Sequence, residues 1–153
     1  MESKYIHKRH NVSVLMYHFV CPVKYRKLVI TENIDEYLKS ICIEISKRYE
    51  IIFLEIGAEL DHVHFLIQSV PDNSAKKIIQ IVKSITARKI FDKFPEIRKV
   101  LWGGEFWTKG YYVNTVSKHG NEEVISKYVK NQGNNIDDYK QLHKEDEREL
   151  PFF

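Results

Sequence analysis

Cysteine is scarce. Cys21 and Cys42 are the only two in the chain, and no C-x-x-C pair occurs. That excludes a disulfide framework and a thiolate zinc knuckle. No apolar run approaches the ~18 residues of a membrane-spanning helix. The opening stretch, MESKYIHKRHNVSV, holds no apolar signal core. The expected setting is the cytoplasm, with reduced thiols and no membrane contact. Four prolines and six glycines are spread over 153 residues, so no linker, repeat or low-complexity segment divides the chain.

Aromatic and charged residues are plentiful, at 12% and 29% of the chain. The hydrophobic fraction, 43%, is enough for one core. The net charge of +3 is small, but its placement is uneven. Residues 1–132 hold 21 Lys and Arg against 15 Asp and Glu, a net of +6. Residues 133–153 carry a net of −3. A basic body therefore precedes an acidic tail, and two units are expected: a domain over 1–132 and a tail over 133–153.

Hydrophobic spacing gives the elements. Val12 to Cys21 is apolar on both alternating faces and predicts a central strand ended by Pro22. Ile34, Tyr37, Leu38, Ile41, Cys42, Ile45 and Tyr49 repeat at three and four, which predicts a helix over 34–49. Asn33 and Glu36 are spaced as a capping box at its start. Ile51–Ile56 and Asp61–Gln68 read as a hairpin. A helix over 75–92 follows, with Ser74 at its N-cap and Phe94-Pro95 as its stop. Phe106–Val116 reads as a strand. A last helix begins at Asn121, with Val124, Ile125, Tyr128 and Val129 as its apolar positions, and ends at Gly133. The order is β-α-β-β-α-β-α. The expected class is α+β: a ferredoxin-like (RRM-like) antiparallel sheet with two helices on one face. The other face is left for a partner or for the additional C-terminal helix.

Two segments carry chemistry. In Asp61-His62-Val63-His64-Phe65-Leu66-Ile67 the two histidines alternate with apolar residues. Side chains two apart on a strand point the same way, so His62 and His64 can share one divalent cation. Alone, this pair reads more readily as two half-exposed strand histidines. His18 reads as packed within the central strand. His7, His10, His119 and His143 read as surface or loop residues. In Ser126-Lys127-Tyr128-Val129-Lys130-Asn131-Gln132, Tyr128 and Gln132 are neighbours on one helix face.

The two segments together, HVHFLI and KYVKNQ, resemble those of the single-tyrosine HUH transposases. These are the small TnpA-type enzymes of the insertion-sequence 200/605 group. RHNVSVLMYHFVCPVKYRK and LWGGEFWTKGYYVNTV are similar to further family segments, in the same order and spacing. The resemblance runs from about Arg9 to Gln132. It implies that His62, His64 and Gln132 hold a divalent metal, Mg2+ or Mn2+, and that Tyr128 is the nucleophile. The implied reaction is transesterification on single-stranded DNA through a 5′-phosphotyrosine intermediate. The implied substrates are DNA hairpins at insertion-sequence ends. The implied assembly is a homodimer, with active sites built in cis or shared between subunits.

DNA binding is expected on the basic body, with aromatic rings on which unpaired bases stack. Candidates are Lys4, Lys8, Arg9, Lys24, Arg26, Lys27, Lys83 and Arg88, with Tyr25 and Trp107 as stackers. Two other readings compete. One is a domesticated relative that processes chromosomal palindromes. The other is a non-catalytic nucleic-acid-binding module of the same fold, which leaves His62, His64, Tyr128 and Gln132 as coincidence.

Overall fold

The computed structural model describes residues 6–7, 12–13 and 15–116. The predicted last helix, with Tyr128 and Gln132, and the acidic tail lie outside them.

Ile6–His7 (β1) and Val12–Ser13 (β2) pair as a small antiparallel ribbon. The predicted first strand is therefore split, and its main part is Leu15–Pro22 (β3). Helix α1 runs Glu32–Arg48. Ile51–Ala58 (β4) and His62–Ser69 (β5) form the hairpin. Helix α2 runs Ala75–Lys93, and the short helix α3 runs Pro95–Val100. Tyr112–Thr115 (β6) closes the sheet.

The sheet order is β4-β5-β3-β6, and every neighbouring pair is antiparallel. In this sheet the two strands joined by each helical crossover flank a third, which is the ferredoxin-like plan expected from the element order. Its helix-side core joins Phe19 and Cys21 of β3 with Val63, Phe65 and Ile67 of β5. Ile34, Leu38, Ile41, Cys42 and Ile45 of α1 pack onto it, as do Ile78, Val82, Ile85 and Ile90 of α2. These are the apolar stripes that the spacing predicts.

The second face is buried as well. Met16, His18 and Val20 of β3 lie on it beside His62, His64, Leu66 and Gln68 of β5. Strand β4 reaches both faces through a bulge between Phe53 and Glu55. Before the bulge Ile51 and Phe53 oppose Ser69 and Ile67 on the helix side. After it Ile56 and Ala58 do so, opposite Phe65 and Val63.

Three boundaries differ from expectation. Thr31, not Asn33, is the N-cap of α1, and its side chain makes no capping bond. Asn33 sits inside the first turn, so the expected capping box is not formed. Pro95 both stops α2 and starts α3, a first-turn position where its missing N–H costs nothing. The strand expected over 106–116 narrows to Tyr112–Thr115. Its earlier part is tied to the turn after β3: Lys24 N–H donates to Phe106 O at 2.9 Å, and Thr108 N–H donates to Pro22 O at 3.0 Å. Ser74 caps α2 as expected, its hydroxyl accepting from Lys77 N–H at 3.1 Å.

Candidate active site

Strand alternation places His62 and His64 on the same face of β5, and their rings converge. The two Nε2 atoms are 3.1 Å apart, and both side chains are buried. At that distance the nitrogens share a hydrogen bond or offer paired lone pairs to a cation. Opposite them on β3 stand Pro22 and Val20, which bring no competing polar atom. On the other side Gly57 of β4 opposes His64. A Cβ there would meet His64 Cδ2 at 3.7 Å, an ordinary van der Waals contact.

The surroundings set the electrostatics. Asp61 Oδ1 lies 2.8 Å from His62 Nδ1. Burial pushes the His64 imidazolium down to about 3, with the neighbouring His62 and then His18 acting in the same direction. His64 is therefore neutral near pH 7, the state that ligates a metal. His18 stacks on His64 with ring centroids 5.8 Å apart and packs edge-on to Tyr112. The sequence reading placed His18 in the central strand but did not link it to the pair. Its spacing could have done so, since His18 and Val20 share a face and Val20 pairs with His64.

The donor set fits a divalent cation that accepts imidazole: two converging Nε2 atoms, one ring neutral and the other backed by a carboxylate. Among the described residues no cluster of three or more His, Cys, Asp or Glu surrounds a common point.

The family model described as Transposase IS200 like matches residues 11–132. The chain belongs to the IS200-like transposase family. It is 32% identical to the ISDra2 transposase TnpA of Deinococcus radiodurans over 120 residues, 77% of this chain and 84% of that protein. It is 28% identical to the transposase of insertion sequence element IS200 from Salmonella typhimurium over 131 residues, 86% and 83% of the two chains. A crystal structure of a candidate transposase from Deinococcus radiodurans superposes with a TM-score of 0.67 at 30% identity, covering 83% of this chain and 97% of that one. A REP-associated tyrosine transposase bound to a REP hairpin shares the fold, with a TM-score of 0.51 at 10% identity, over 81% and 67% of the two chains. An IS200-like transposase is a DNA-cleaving enzyme, which gives the paired histidines a context.

The basic candidates of this transposase divide by burial. Arg88 and Lys27 are exposed on α2 and after the Lys24–Arg26 turn. Tyr25 and Arg26 are half-buried, both with left-handed backbone at φ 58° and 52°. Lys24, expected on the surface, is only 1% exposed, with Nζ 3.4 Å from Glu105 and over the Tyr25 ring. Lys83 donates to the carbonyls of Thr108, Lys109 and Gly110 at 2.7, 3.2 and 3.2 Å. Its ammonium thereby holds the segment leading into β6. Trp107 is 4% exposed, and its Nε1–H donates to Thr86 Oγ1 at 2.9 Å. Base stacking needs an open ring face, so this burial corrects the expectation for Trp107. Lys4, Lys8, Arg9, Tyr128 and Gln132 lie outside the described residues.

A groove of about 520 Å³ runs between α2 and residues 104–111. Lys76 and Lys109 stand exposed on it, with Tyr111 and Ala87 among its apolar lining. Sequence reasoning did not single out these two lysines. They are far apart in the chain and meet only through the packing of α2 on the β6 approach. No helix among the described residues is long and apolar enough to cross a membrane.

Proposed function

We propose that this IS200-type transposase cleaves and rejoins single-stranded DNA at insertion-sequence ends through a tyrosine-linked intermediate. The observation that carries the reading is the 3.1 Å convergence of His62 Nε2 and His64 Nε2. His62, His64 and Gln132 would hold Mg2+ or Mn2+. When bound, that ion polarises the scissile phosphate and offsets charge developing on its oxygens.

Tyr128 supplies the nucleophile. Its phenol oxygen attacks phosphorus, and the bond from phosphorus to the 3′ oxygen breaks. The phenolic proton is lost, the departing oxygen is protonated, and a free 3′ hydroxyl remains. The 5′ phosphate stays joined to Tyr128. Attack by another 3′ hydroxyl reverses the step and joins new strands, with the bond energy conserved in the ester. The buried His64, held neutral, and the carboxylate-backed His62 contribute by staying fixed while charge moves nearby.

The partner is single-stranded DNA carrying hairpins, bound as a homodimer. The exposed basic groups Lys27, Arg88, Lys76 and Lys109 suit a phosphate backbone, and Tyr25 suits a base at a strained turn. The test is incubation with hairpin-bearing single strands and Mn2+, followed by denaturing electrophoresis. A covalent adduct is expected from the wild type and none from Tyr128→Phe, with hairpin binding retained. A gel-stable adduct formed by Tyr128→Phe would remove the nucleophile assignment.

A further inference from the structure

We propose that Asp61 is a positioning residue of the histidine pair. It locks His62 with its proton on Nδ1 and its lone pair on Nε2, so that only His64 must move a proton when a divalent cation binds. This rests on the metal reading given above.

The geometry begins with an exception to strand alternation. Adjacent strand residues point to opposite faces, so Asp61 could not reach His62 from within a strand. Strand β5 begins at His62, and Asp61 occupies the bend before it. Its main chain is anchored there, the carbonyl accepting from Val23 N–H at 2.8 Å. The side chain turns back to place Oδ1 2.8 Å from Nδ1 of the next residue.

A carboxylate can only accept, so Nδ1 of His62 must carry the proton. In the neutral ring Nε2 then holds the lone pair. His64 Nε2 lies 3.1 Å away, and a hydrogen bond there needs one proton between the two nitrogens. His64 must supply it. Its Nδ1 is then an acceptor, and that atom is buried with no hydrogen-bond partner among the described residues. The pair is asymmetric: His62 is set for a cation in advance, whereas His64 holds the tautomer that donates to His62. A cation shared by both Nε2 atoms needs the His64 proton on Nδ1 instead. A carboxylate behind a ligating histidine fixes ring and tautomer, and its loss typically costs 10–100-fold in metal affinity.

The test uses the full chain at pH 8. Long-range 15N–1H correlations distinguish the two imidazole tautomers directly. Without metal, His62 is expected as Nδ1–H and His64 as Nε2–H. Saturation with Zn2+, a diamagnetic ion that accepts imidazole, is expected to leave His62 unchanged and move His64 to Nδ1–H. Asp61→Asn and Asp61→Ala, with folding checked by near-UV circular dichroism, should mix the His62 tautomers. They should also weaken Mn2+ binding, read by electron paramagnetic resonance, by about 10–100-fold. Asp61→Glu should recover part of both signals. A His62 tautomer unchanged in both variants, with Mn2+ affinity within twofold of wild type, would overturn the role of Asp61. Absence of Mn2+ and Zn2+ binding by the wild type would instead remove the metal reading itself.

Discussion

At the scale of single residues, burial decides which groups can react. The Cys21 and Cys42 thiols are both buried, and that burial pushes each up to about 12. For Cys21 the nearby Lys83 opposes the shift without cancelling it. The thiolate is the reactive form, so native protein at pH 8 should alkylate on the order of 10³-fold more slowly than unfolded chain. Iodoacetamide labelling followed by mass spectrometry checks this. The sign for stability follows. Both thiols ionise less readily folded than unfolded. Stability is therefore full below about 9, the ordinary thiol value, and is lost as pH rises from there toward about 12. The same logic of burial sorts the lysines. Composition counts Lys24 as a surface charge, yet its ammonium is enclosed against Glu105. That pairing joins residues about eighty positions apart, and no local pattern announces it.

At the scale of elements, α2 serves as the brace for the segment that enters β6. Thr86 Oγ1 donates to Val82 O at 2.7 Å and accepts from Trp107 Nε1–H at 2.9 Å. Thr86→Val keeps the shape but leaves the indole N–H buried without its acceptor. The expected cost is about 1–3 kcal/mol, measured by urea unfolding. Trp107→Phe in the same background should add little further loss from hydrogen bonding, because the donor is gone too. This brace explains what the sequence pattern missed. The aromatic and β-branched run over 106–116 has the composition of a strand. Its first half is instead held by the turn after β3, by Trp107 and by the Lys83 ammonium. Where period alone governs, the reading held: the stripes of α1 and α2, the hairpin, and the shared face of His62 and His64. It failed at the start of α1, where Thr31 replaces Asn33 as the cap, and just past α2, where Pro95 opens a further helix. There one residue's local choice competes with contacts from a distant segment.

At the scale of the whole molecule, the issue is how one catalytic centre is assembled. In the proposed site the described sheet supplies two imidazoles, and the nucleophile and amide come from the sequence beyond it. Subunits carrying Tyr128→Phe, mixed and exchanged with subunits carrying His64→Ala, distinguish two assemblies. Cleavage recovered in the mixture is expected if Tyr128 of one subunit serves the histidines of the other. No recovery, with heterodimers demonstrated by native mass spectrometry, would mean that each chain completes its own site. EDTA should abolish adduct formation by the wild type in either case.

The bulge in β4 behaves like a shift of reading frame. Upstream of Leu54 the odd-numbered residues face the helices, and downstream the even-numbered ones do. If Leu54 were paired regularly with Leu66 instead of bulging, every position after it would shift by one partner. Glu55 would be read into the helix-side core, and Ile56, in place of Gly57, would be set against the His64 ring. A strand can therefore carry an insertion as meaning: one extra residue keeps a carboxylate out of the core and a glycine beside the histidines.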